Sequence, residues 1–397
     1  MNDFTLKDSK KYFSQTLEFH KNNLLFQAHS HHPWTDVAYE AMEKYFILVK
    51  EKLDFKWNDI FNDYFPRTQN LILEMLNCPA HWEVSVSPST HDLLVRFISA
   101  METKTKSENR KLSCLVSLSE FHSARRQFQA WQQSDQMIVE WVEVEFSLLK
   151  MQVFLEQNPN TVDLVFLSQC LYGSGYFFEE TELLKMAGMF PHIYFVIDVY
   201  HSFATRPLNF NNAFPNMIFL GGCYKYAMSG ENCCFLVLPK KFPFNPTNTG
   251  WFAEFGELEK TSALATTRLV FSQDGYRFLG STFDPLGMIR YVSTWEYFKS
   301  QGITLEKIRW HVLELQNELV ARVINAKLHW LFPPDDWSTG NFLCLQFKNS
   351  EELQIMAKYL ETKLVWFDSR GHVIRFGFSI YQDISDVEKL ALVLNNY

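Results

Sequence analysis

The sequence predicts an α/β fold with a large domain on a mostly parallel, doubly wound sheet and a small α+β C-terminal domain. With 397 residues, the chain exceeds one ordinary domain. Buried apolar runs alternate with helical patterns, and several of these runs end in polar residues, as strands of open α/β sheets do. We divide the chain into an N-terminal helical segment that joins the small domain (1–60), the large domain (61–285), and a linking helix with the small domain (286–397).

Composition limits the classes of function. Hydrophobic residues make up 47% and charged residues 21%, which provides a sizeable core. The net charge of −8 and the lack of a dense basic run argue against nucleic-acid binding. Seven cysteines without a CxxC pair indicate neither a zinc ribbon nor a disulfide framework. The polar N-terminus and the lack of an apolar run near ~20 residues predict a cytoplasmic protein with no membrane partner.

The N-terminal segment is predicted to be helical, with a loop at QAHSHHPWTD. The loop carries His29, His31 and His32, which raises the question of a metal site. His31 and His32 are adjacent, and no carboxylate or cysteine set completes a site, so we assign no metal. A loop that lines a pocket, or a purely structural loop, is the alternative.

Alternating patterns continue along the chain. They predict helices over 57–77, 90–101, 145–157, 179–189, 350–361 and 385–395, a long helical region over 285–330, and strands over 82–87, 112–118, 136–144, 161–168, 233–238, 341–347, 363–367 and 373–379. Repeated strand and helix at this spacing favours a parallel sheet, and the broken strands near the C-terminus favour a small α+β domain.

The most informative stretch is 196–226, VIDVYHSFATRPLNFNNAFPNMIFLGGCYKY. One apolar run ends at Asp198, with His201 one turn later, and a second is followed by Tyr224 and Lys225. Pyridoxal phosphate (PLP) chemistry needs a lysine amine for a Schiff base and a carboxylate for the pyridinium nitrogen. Alone, such an Asp is commonly a turn former and such a Lys a surface residue.

The D-x-x-H and Y-K motifs of this stretch resemble the class V aminotransferase superfamily of fold-type I PLP enzymes, and within it kynureninase. The resemblance implies that Lys225 forms the Schiff base, Asp198 binds the ring nitrogen, His201 lies beside it, and Tyr224 points toward the phosphate. It also implies PLP as the cofactor and 61–285 as the PLP-binding domain.

The turn Ser87-Pro88-Ser89-Thr90-His91 joins a predicted strand to a helix. Unpaired N–H groups at a helix N-terminus form an anion site. Alone, these residues predict only a helix cap. The resemblance implies that Ser89 and Thr90 bind the phosphate of PLP.

Aromatic residues follow two further strands. Phe121 matches the family position that stacks on the cofactor ring, although in isolation it would be a core residue. Tyr172, in a Y-x-S-G loop, resembles a family residue near the ring hydroxyl. Ser168 and Gln169 end the strand before that loop, and the sequence does not decide which of them reaches the cofactor; Ser168 is our candidate.

Two segments resemble parts of kynureninase that reach into the neighbouring subunit. They contain Trp251 and Thr282, and Thr282 stands where kynureninase has an Asn. The resemblance implies that both residues contact the cofactor across a homodimer with shared active sites, which is also the common symmetry of soluble oligomers.

Arg375 lies in VIRFGFSIYQDISDVEKL and partly matches a family motif whose arginine binds the substrate α-carboxylate, for which a planar guanidinium is well shaped. Alone, an Arg on a strand is usually a solvent-facing ion-pair partner. The resemblance also favours His29 and His31 as substrate contacts, because fold-type I enzymes bring an N-terminal segment over the site.

Together these motifs predict an enzyme acting on an amino acid, in the first place an aminotransferase with a keto-acid acceptor. A kynureninase-like hydrolase that cleaves the side chain beyond Cβ is the alternative. A cysteine desulfurase or lyase ranks lower, because Cys344 lies in the apolar run FLCLQF and buried thiols are usually inert. A PLP-binding protein without catalysis ranks equally low.

Overall fold

The structure is a computed structural model, and it describes residues 6, 8–254, 269–332 and 338–397. In chain order, the strands are β1 (Leu24–Leu25), β2 (Glu83–Ser87), β3 (Leu112–Ser117), β4 (Met137–Val142), β5 (Leu164–Ser168), β6 (Tyr194–Asp198), β7 (Met217–Gly222), β8 (Cys234–Leu238), β9 (His329–Trp330), β10 (Phe342–Gln346), β11 (Val365–Trp366), β12 (Asp368–Arg370) and β13 (Val373–Gly377). The α-helices are α1 (Ser14–Phe19), α2 (Asp36–Lys52), α3 (Lys56–Asp59), α4 (Phe65–Leu76), α5 (Thr90–Ser107), α6 (His122–Gln133), α7 (Leu149–Gln157), α8 (Glu180–Met189), α9 (Leu286–Ser300), α10 (Leu305–Arg322), α11 (Ser350–Thr362) and α12 (Ile384–Asn395). No helix of these described ranges is long and apolar enough to cross a bilayer.

The central sheet has the strand order β2-β8-β7-β6-β5-β3-β4. The strands from β7 to β4 pair in parallel, whereas β8 is antiparallel to both of its neighbours. The prediction of an α/β fold with a mostly parallel sheet is therefore confirmed. Because the parallel strands point the same way, their carboxyl ends lie along one edge of the sheet.

Helices cover both faces of this sheet. On one face, α5 and α6 pack with alternate strand residues in one apolar core, and on the other face α4, α7, α8 and α9 pack with the intervening residues. In β6, for example, Val196 belongs to the first core, and Phe195 and Ile197 belong to the second. Strands buried on both faces have continuous apolar sequences, which is why they could be recognised.

The C-terminal part forms a second, antiparallel sheet in the order β12-β13-β10-β9. Its apolar core includes residues of α10, α11 and α12 together with Phe26 from the N-terminal segment. The N-terminal β1 pairs in parallel with β11, and Gly377 N donates to Phe26 O at 2.7 Å. The N-terminal segment thus lies against the β12–β13 hairpin.

The helical region predicted over 285–330 consists of two helices. The first, α9, ends at Ser300, and α10 begins at Leu305. Gly302 lies between them with φ +66°, a backbone conformation that an L side chain disfavours. The interruption places α9 in the core of the large domain and α10 in that of the small domain.

Candidate active site

Polar residues follow neighbouring strands at the carboxyl edge of the central sheet. Ser168 ends β5 and pairs in register with Asp198, which ends β6. Lys225 follows β7 by three residues, and Glu120 follows β3 by three residues. The fold therefore brings one amine and two carboxyl groups to the same edge of the sheet.

Lys225 is the centre of this cluster. Its Nζ is hydrogen-bonded to Nε2 of His201 at 2.5 Å and lies 5.5 Å and 5.2 Å from the ring centroids of Phe121 and Tyr200. Among the described residues it forms no salt bridge. Desolvation by burial, helped by the charge of Arg375, lowers the pKa of Lys225 to about 7, although Asp198 opposes this shift. A large fraction of this amine is therefore neutral near pH 7.

A glycine allows the aromatic wall beside Lys225 to form. A Cβ on Gly222, the last residue of β7, would lie 2.6 Å from the ring of Tyr200. Only a residue without a side chain lets this ring cross the end of the strand. Tyr200 thereby closes one side of the space around the lysine amine.

Asp198 is held at the end of β6 by its own turn. Its Oδ1 accepts a hydrogen bond from the N–H of Tyr200 at 2.8 Å. Burial raises the pKa of Asp198 to about 6, and the backbone hydrogen bond and the charge of Lys225 limit this rise. Above pH 6 the group is thus mainly a carboxylate, the form that can pair with a cationic ring nitrogen.

His201 lies one turn after Asp198 and is buried. Burial lowers its pKa well below the usual value, and the charges of Lys225 and Arg375 act in the same direction. The imidazole is therefore neutral, and this allows it to share a hydrogen bond with the amine of Lys225.

Glu120 is a site residue that the sequence analysis missed. It is fully buried, and its carboxyl accepts hydrogen bonds from the N–H of Ser168 at 2.8 Å and from its hydroxyl at 2.5 Å. Burial raises the pKa of Glu120 to about 8, and the nearby charge of Asp198 adds to the rise. The hydroxyl of Ser168 is thus engaged by Glu120, and its predicted contact with a cofactor stays a prediction.

The predicted phosphate site lies at the same edge. Ser89 caps α5, because its hydroxyl accepts from the N–H of Asp92 at 3.1 Å, and Thr90 is the first residue of this helix. Cys234 connects this turn to the site: its Sγ lies 3.7 Å from the carbonyl of Pro88 and 3.9 Å from the hydroxyl of Tyr200. A helix N-terminus, the amine and the carboxylate therefore share one region.

Phe121 and Tyr172 form an aromatic wall of the cleft. Phe121 is 42% exposed, and its ring meets that of Tyr172 edge-on at 5.6 Å. An exposed aromatic ring near the amine of Lys225 is suited to stack on a planar ligand. The predicted roles of both residues stay predictions.

Arg375 closes the cleft from the small domain. It is 4% exposed, and Nη1 donates to the carbonyl of Tyr172 at 2.6 Å. Nη2 pairs with Oδ2 of Asp368, the residue opposite Arg375 in the β12–β13 hairpin. Asp368 is a second site residue that the sequence analysis missed. The charge of Arg375 acts on Lys225 and His201, so the two domains face each other across the site.

The three histidines of the N-terminal loop have different environments. His29 is buried against the ring of Phe342, with ring centroids 5.0 Å apart. His31 is exposed, and its Nδ1 is 3.1 Å from the hydroxyl of Tyr224. This contact connects a predicted substrate residue, His31, with a predicted cofactor residue, Tyr224. His32 is buried and bonded to Ser379, which anchors the loop. In the part of the chain that the structure describes, no group of His, Cys, Asp and Glu could hold a metal ion.

Trp251 and Thr282 lie together on the surface. Nε1 of Trp251 donates to Oγ1 of Thr282 at 3.3 Å, and the indole is 50% exposed. The structure thus joins two distant segments that the resemblance assigned to a subunit interface. The homodimer itself stays a prediction.

Comparison with known proteins identifies the fold. No protein-family model matches the sequence, and no curated protein matches it either. The apo cysteine desulfurase from Thermococcus onnurineus NA1 is similar with a TM-score of 0.80 and 15% identity, over 99% of this chain and 98% of that one. A variant of C-DES, with glycine covalently linked to its PLP cofactor, gives 0.81 and 14% over 98% and 99%. The cysteine desulfurase CsdA from Escherichia coli gives 0.77 and 11% over 99% and 98%.

These similarities extend over nearly the whole chain and confirm the predicted fold: a large domain on a mostly parallel sheet with a smaller second domain, as in fold-type I PLP enzymes. At such low identity, the similarity concerns the fold alone. The similar structures named above are those of cysteine desulfurases and of C-DES, a cystine C-S lyase. The kynureninase likeness of the motifs therefore stays a prediction.

Proposed function

We propose that this protein is a PLP-dependent enzyme that acts on an amino acid, with Lys225 as the residue that binds the cofactor. The observation that carries the proposal is the amine of Lys225, whose pKa is lowered to about 7 because it is withdrawn from solvent. This amine lies at the same edge of the sheet as the carboxylate of Asp198. Lys225 is half-buried and has no salt-bridge partner among the described residues, and lysines with a lowered pKa concentrate at functional sites.

The donor set fits PLP. When bound, PLP supplies an aldehyde that reacts with amines and a pyridine ring that accepts electrons. Asp198 would pair with the ring nitrogen, the N-terminus of α5 with Ser89 and Thr90 would hold the phosphate, and Phe121 would cover the ring. The similarity to a C-DES variant that carries PLP supports this choice of cofactor.

The remaining residues would handle the amino acid. Arg375 is a buried guanidinium at the cleft, and we assign it to the substrate α-carboxylate. Lys225, neutral near pH 7, would accept and return the proton of the substrate Cα. His201, which is hydrogen-bonded to this amine, would hold it in position.

Cysteine chemistry of the desulfurase type finds little support. All seven cysteines of the chain lie in the described residues, and all are buried. Two of these thiols, Cys344 and Cys170, are close enough to Arg375 or Lys225 for the positive charge to act on their pKa. Burial nevertheless raises the pKa of both to about 12. Since the thiolate is the nucleophile, neither thiol is suited to attack a substrate sulfur. With no thiol suited to desulfuration, the reaction that we propose is the one favoured by the sequence motifs, that of an aminotransferase.

A C–S lyase is the second candidate. The specific observation that favours it is the similarity to C-DES, with a TM-score of 0.81 over nearly the full length of both chains. An aminotransferase would leave a keto acid and need a keto-acid acceptor, whereas a lyase would release a sulfur species from cystine or cysteine. Side-chain hydrolysis would leave a shortened amino acid.

The test begins with the purified protein and PLP. After free PLP is removed, the wild-type protein should keep a visible absorption band that Lys225→Ala lacks. The matched control is Lys185→Ala, which replaces an exposed lysine of α8 and should keep the band. Amino acids that shift the band are then tested as substrates, and mass spectrometry of the products separates the three reactions. A wild-type protein that retains no PLP would contradict the proposal.

A further inference from the structure

His29 is a buried imidazole without a hydrogen-bond partner. It is 1% exposed, and neither Nδ1 nor Nε2 has a partner among the described residues. Its ring is stacked on Phe342 with an interplanar angle of 25°. Because unpaired polar atoms are costly to bury, a histidine of this kind beside a cleft indicates an interaction that forms only with a ligand.

The fold holds His29 in place through the small domain. Gln27 forms a β-bridge with Gly377, and a Cβ on Gly377 would lie 2.4 Å from Nδ1 of His29. The Nδ1 side of the ring therefore lies against the backbone of β13. The Nε2 atom lies 3.8 Å from Oδ2 of Asp368.

The carboxylate of Asp368 lies between three neighbours. Its Oδ2 pairs with Nη2 of Arg375 and is also the oxygen that faces His29, while Oδ1 lies 3.2 Å from Nη1 of Arg370. The gap to His29 exceeds a hydrogen bond by less than 1 Å. A small rotation of the carboxylate toward His29 would close this gap.

Arg375 has room for a second carboxylate only in competition with Asp368. Its Nη1 is used by the carbonyl of Tyr172, and its buried Nε has no partner among the described residues. A substrate carboxylate that binds Nε and Nη2 as a fork would meet the carboxylate of Asp368 at Nη2. Nη2 has two hydrogens and could donate one to each carboxylate, but the two carboxylates repel each other, and this repulsion weakens the pairing of Arg375 with Asp368.

We propose that Asp368 is a movable counter-ion: it balances Arg375 in the free protein, and a substrate carboxylate that binds Arg375 turns it toward His29. His29 then takes up one proton from solvent and pairs with Asp368 through Nε2. This inference rests on the proposed function, because it takes the substrate to be an amino acid bound through Arg375.

The charges balance in this exchange. The substrate carboxylate adds one negative charge, and the proton on His29 adds one positive charge. The charged or titratable groups that face His29 are Arg375, Arg370, Asp368, Lys225 and His201. In the free protein, burial and the charges of Arg375, Lys225 and Arg370 lower the pKa of His29 well below its usual value, and the ring is neutral. A carboxylate that leaves Arg375 for His29 opposes this shift.

The first test compares KM after removal of each partner of the exchange. Asp368→Asn removes the competitor for Arg375, so KM for the amino acid should fall about tenfold. His29→Gln removes the group toward which Asp368 turns, so KM should rise about tenfold, and kcat should change much less in both variants. Ser369→Ala, in the same strand, is the matched control, and Asp368→Glu keeps the carboxylate in case the Asn variant fails to fold. A rise in KM for Asp368→Asn would contradict the proposal, because a merely structural ion pair predicts that result.

The second test measures protons without turnover. Propionate, a carboxylate without an amine, is titrated into the PLP-loaded protein by calorimetry in two buffers of different ionisation enthalpy. The wild-type protein should bind propionate with uptake of up to one proton, and His29→Gln and Asp368→Asn should bind it with none.

The outcomes distinguish the two proposals. A wild-type protein that keeps no PLP overturns both the proposed function and this inference. A protein that keeps PLP and turns over an amino acid, but binds no propionate or binds it without proton uptake, overturns the inference alone. Equal uptake in the wild type and in His29→Gln would also overturn it, because the proton would then go elsewhere.

Discussion

Two cationic side chains face each other across the cleft, and their surroundings differ. Lys225, on the large domain, forms no salt bridge within the described residues, and its pKa is lowered from 10.5 to about 7. Arg375, on the small domain, is paired with Asp368 and the carbonyl of Tyr172. Burial without a counter-ion favours a neutral amine, whereas a paired guanidinium stays charged.

The difference assigns the two side chains to different tasks. A neutral amine can react with an aldehyde and accept a proton, and a permanent cation can hold a carboxylate. The two are also coupled, because the charge of Arg375 is one cause of the lowered pKa of Lys225. Replacing Lys225 and replacing Arg375 should therefore affect different steps of the reaction, and replacing Arg375 should also change the pKa of Lys225.

The largest effect is expected from Lys225→Ala. Under the proposed function this variant has no amine to bind PLP, so turnover should be undetectable and the visible band should be absent. Absorption spectra and an activity assay check both. Lys185→Ala should behave as the wild type, and turnover near the wild-type rate in Lys225→Ala would remove Lys225 from the reaction.

Asp198→Asn should reduce kcat about 1000-fold, because an amide gives the ring nitrogen no negative charge. The variant should also bind PLP more weakly, which equilibrium dialysis measures. Asp135→Asn, at an exposed aspartate, is the control. A normal kcat with weakened PLP binding would mean that Asp198 only holds the cofactor.

Arg375→Gln should raise KM for the amino acid about 100-fold, because a charged hydrogen-bonding group to the carboxylate is lost. The value of kcat should change much less. Arg322→Gln, which removes an exposed arginine of α10, is the control. An unchanged KM in Arg375→Gln would place the carboxylate site elsewhere.

The pH dependence of PLP capture tests whether the charge of Arg375 lowers the pKa of Lys225. Since the pKa of Lys225 is about 7, the rate of PLP capture should fall about fivefold between pH 7 and pH 6 and level off above pH 8. Stopped-flow absorbance measures this rate. In Arg375→Gln the whole profile should move to higher pH, because one cause of the lowered pKa is gone. A wild-type rate that still rises up to pH 10 would indicate an ordinary lysine.

The smallest effect is expected from Phe121→Leu. Loss of one aromatic face should weaken PLP binding about fivefold, because aromatic stacking contributes about 1 kcal/mol. Fluorescence titration with PLP measures the change, and Phe146→Leu, also a partly exposed phenylalanine, is the control. Equal affinities in the wild type and Phe121→Leu would show that Phe121 does not cover the ring.

The fold could be predicted because most of its strands and helices are marked by patterns of a few consecutive residues. Strands buried on both faces, such as β6 and β7, are short apolar runs, and the polar residue at the end of each run marks the functional edge of the sheet. The break between α9 and α10 was missed, because Gly302 lies in a long helical pattern and one glycine does not by itself end a helix.

The site could be predicted only where its residues are close in sequence or match a motif. Glu120 was missed because its partner Ser168 is 48 residues away, and only the fold brings the two together. Asp368 was missed because an acidic residue in a turn is usually exposed. The pairing of Asp368 with Arg375 follows from the register of the hairpin, which places the two residues opposite each other.

Borohydride trapping shows directly which lysine binds the cofactor. The wild-type protein is loaded with PLP, reduced with borohydride to fix any lysine-bound cofactor, digested, and analysed by mass spectrometry. We expect one stoichiometric pyridoxyl label, on the peptide that contains Lys225. A label on another lysine, or an unlabelled Lys225 peptide, would contradict the proposed role of Lys225.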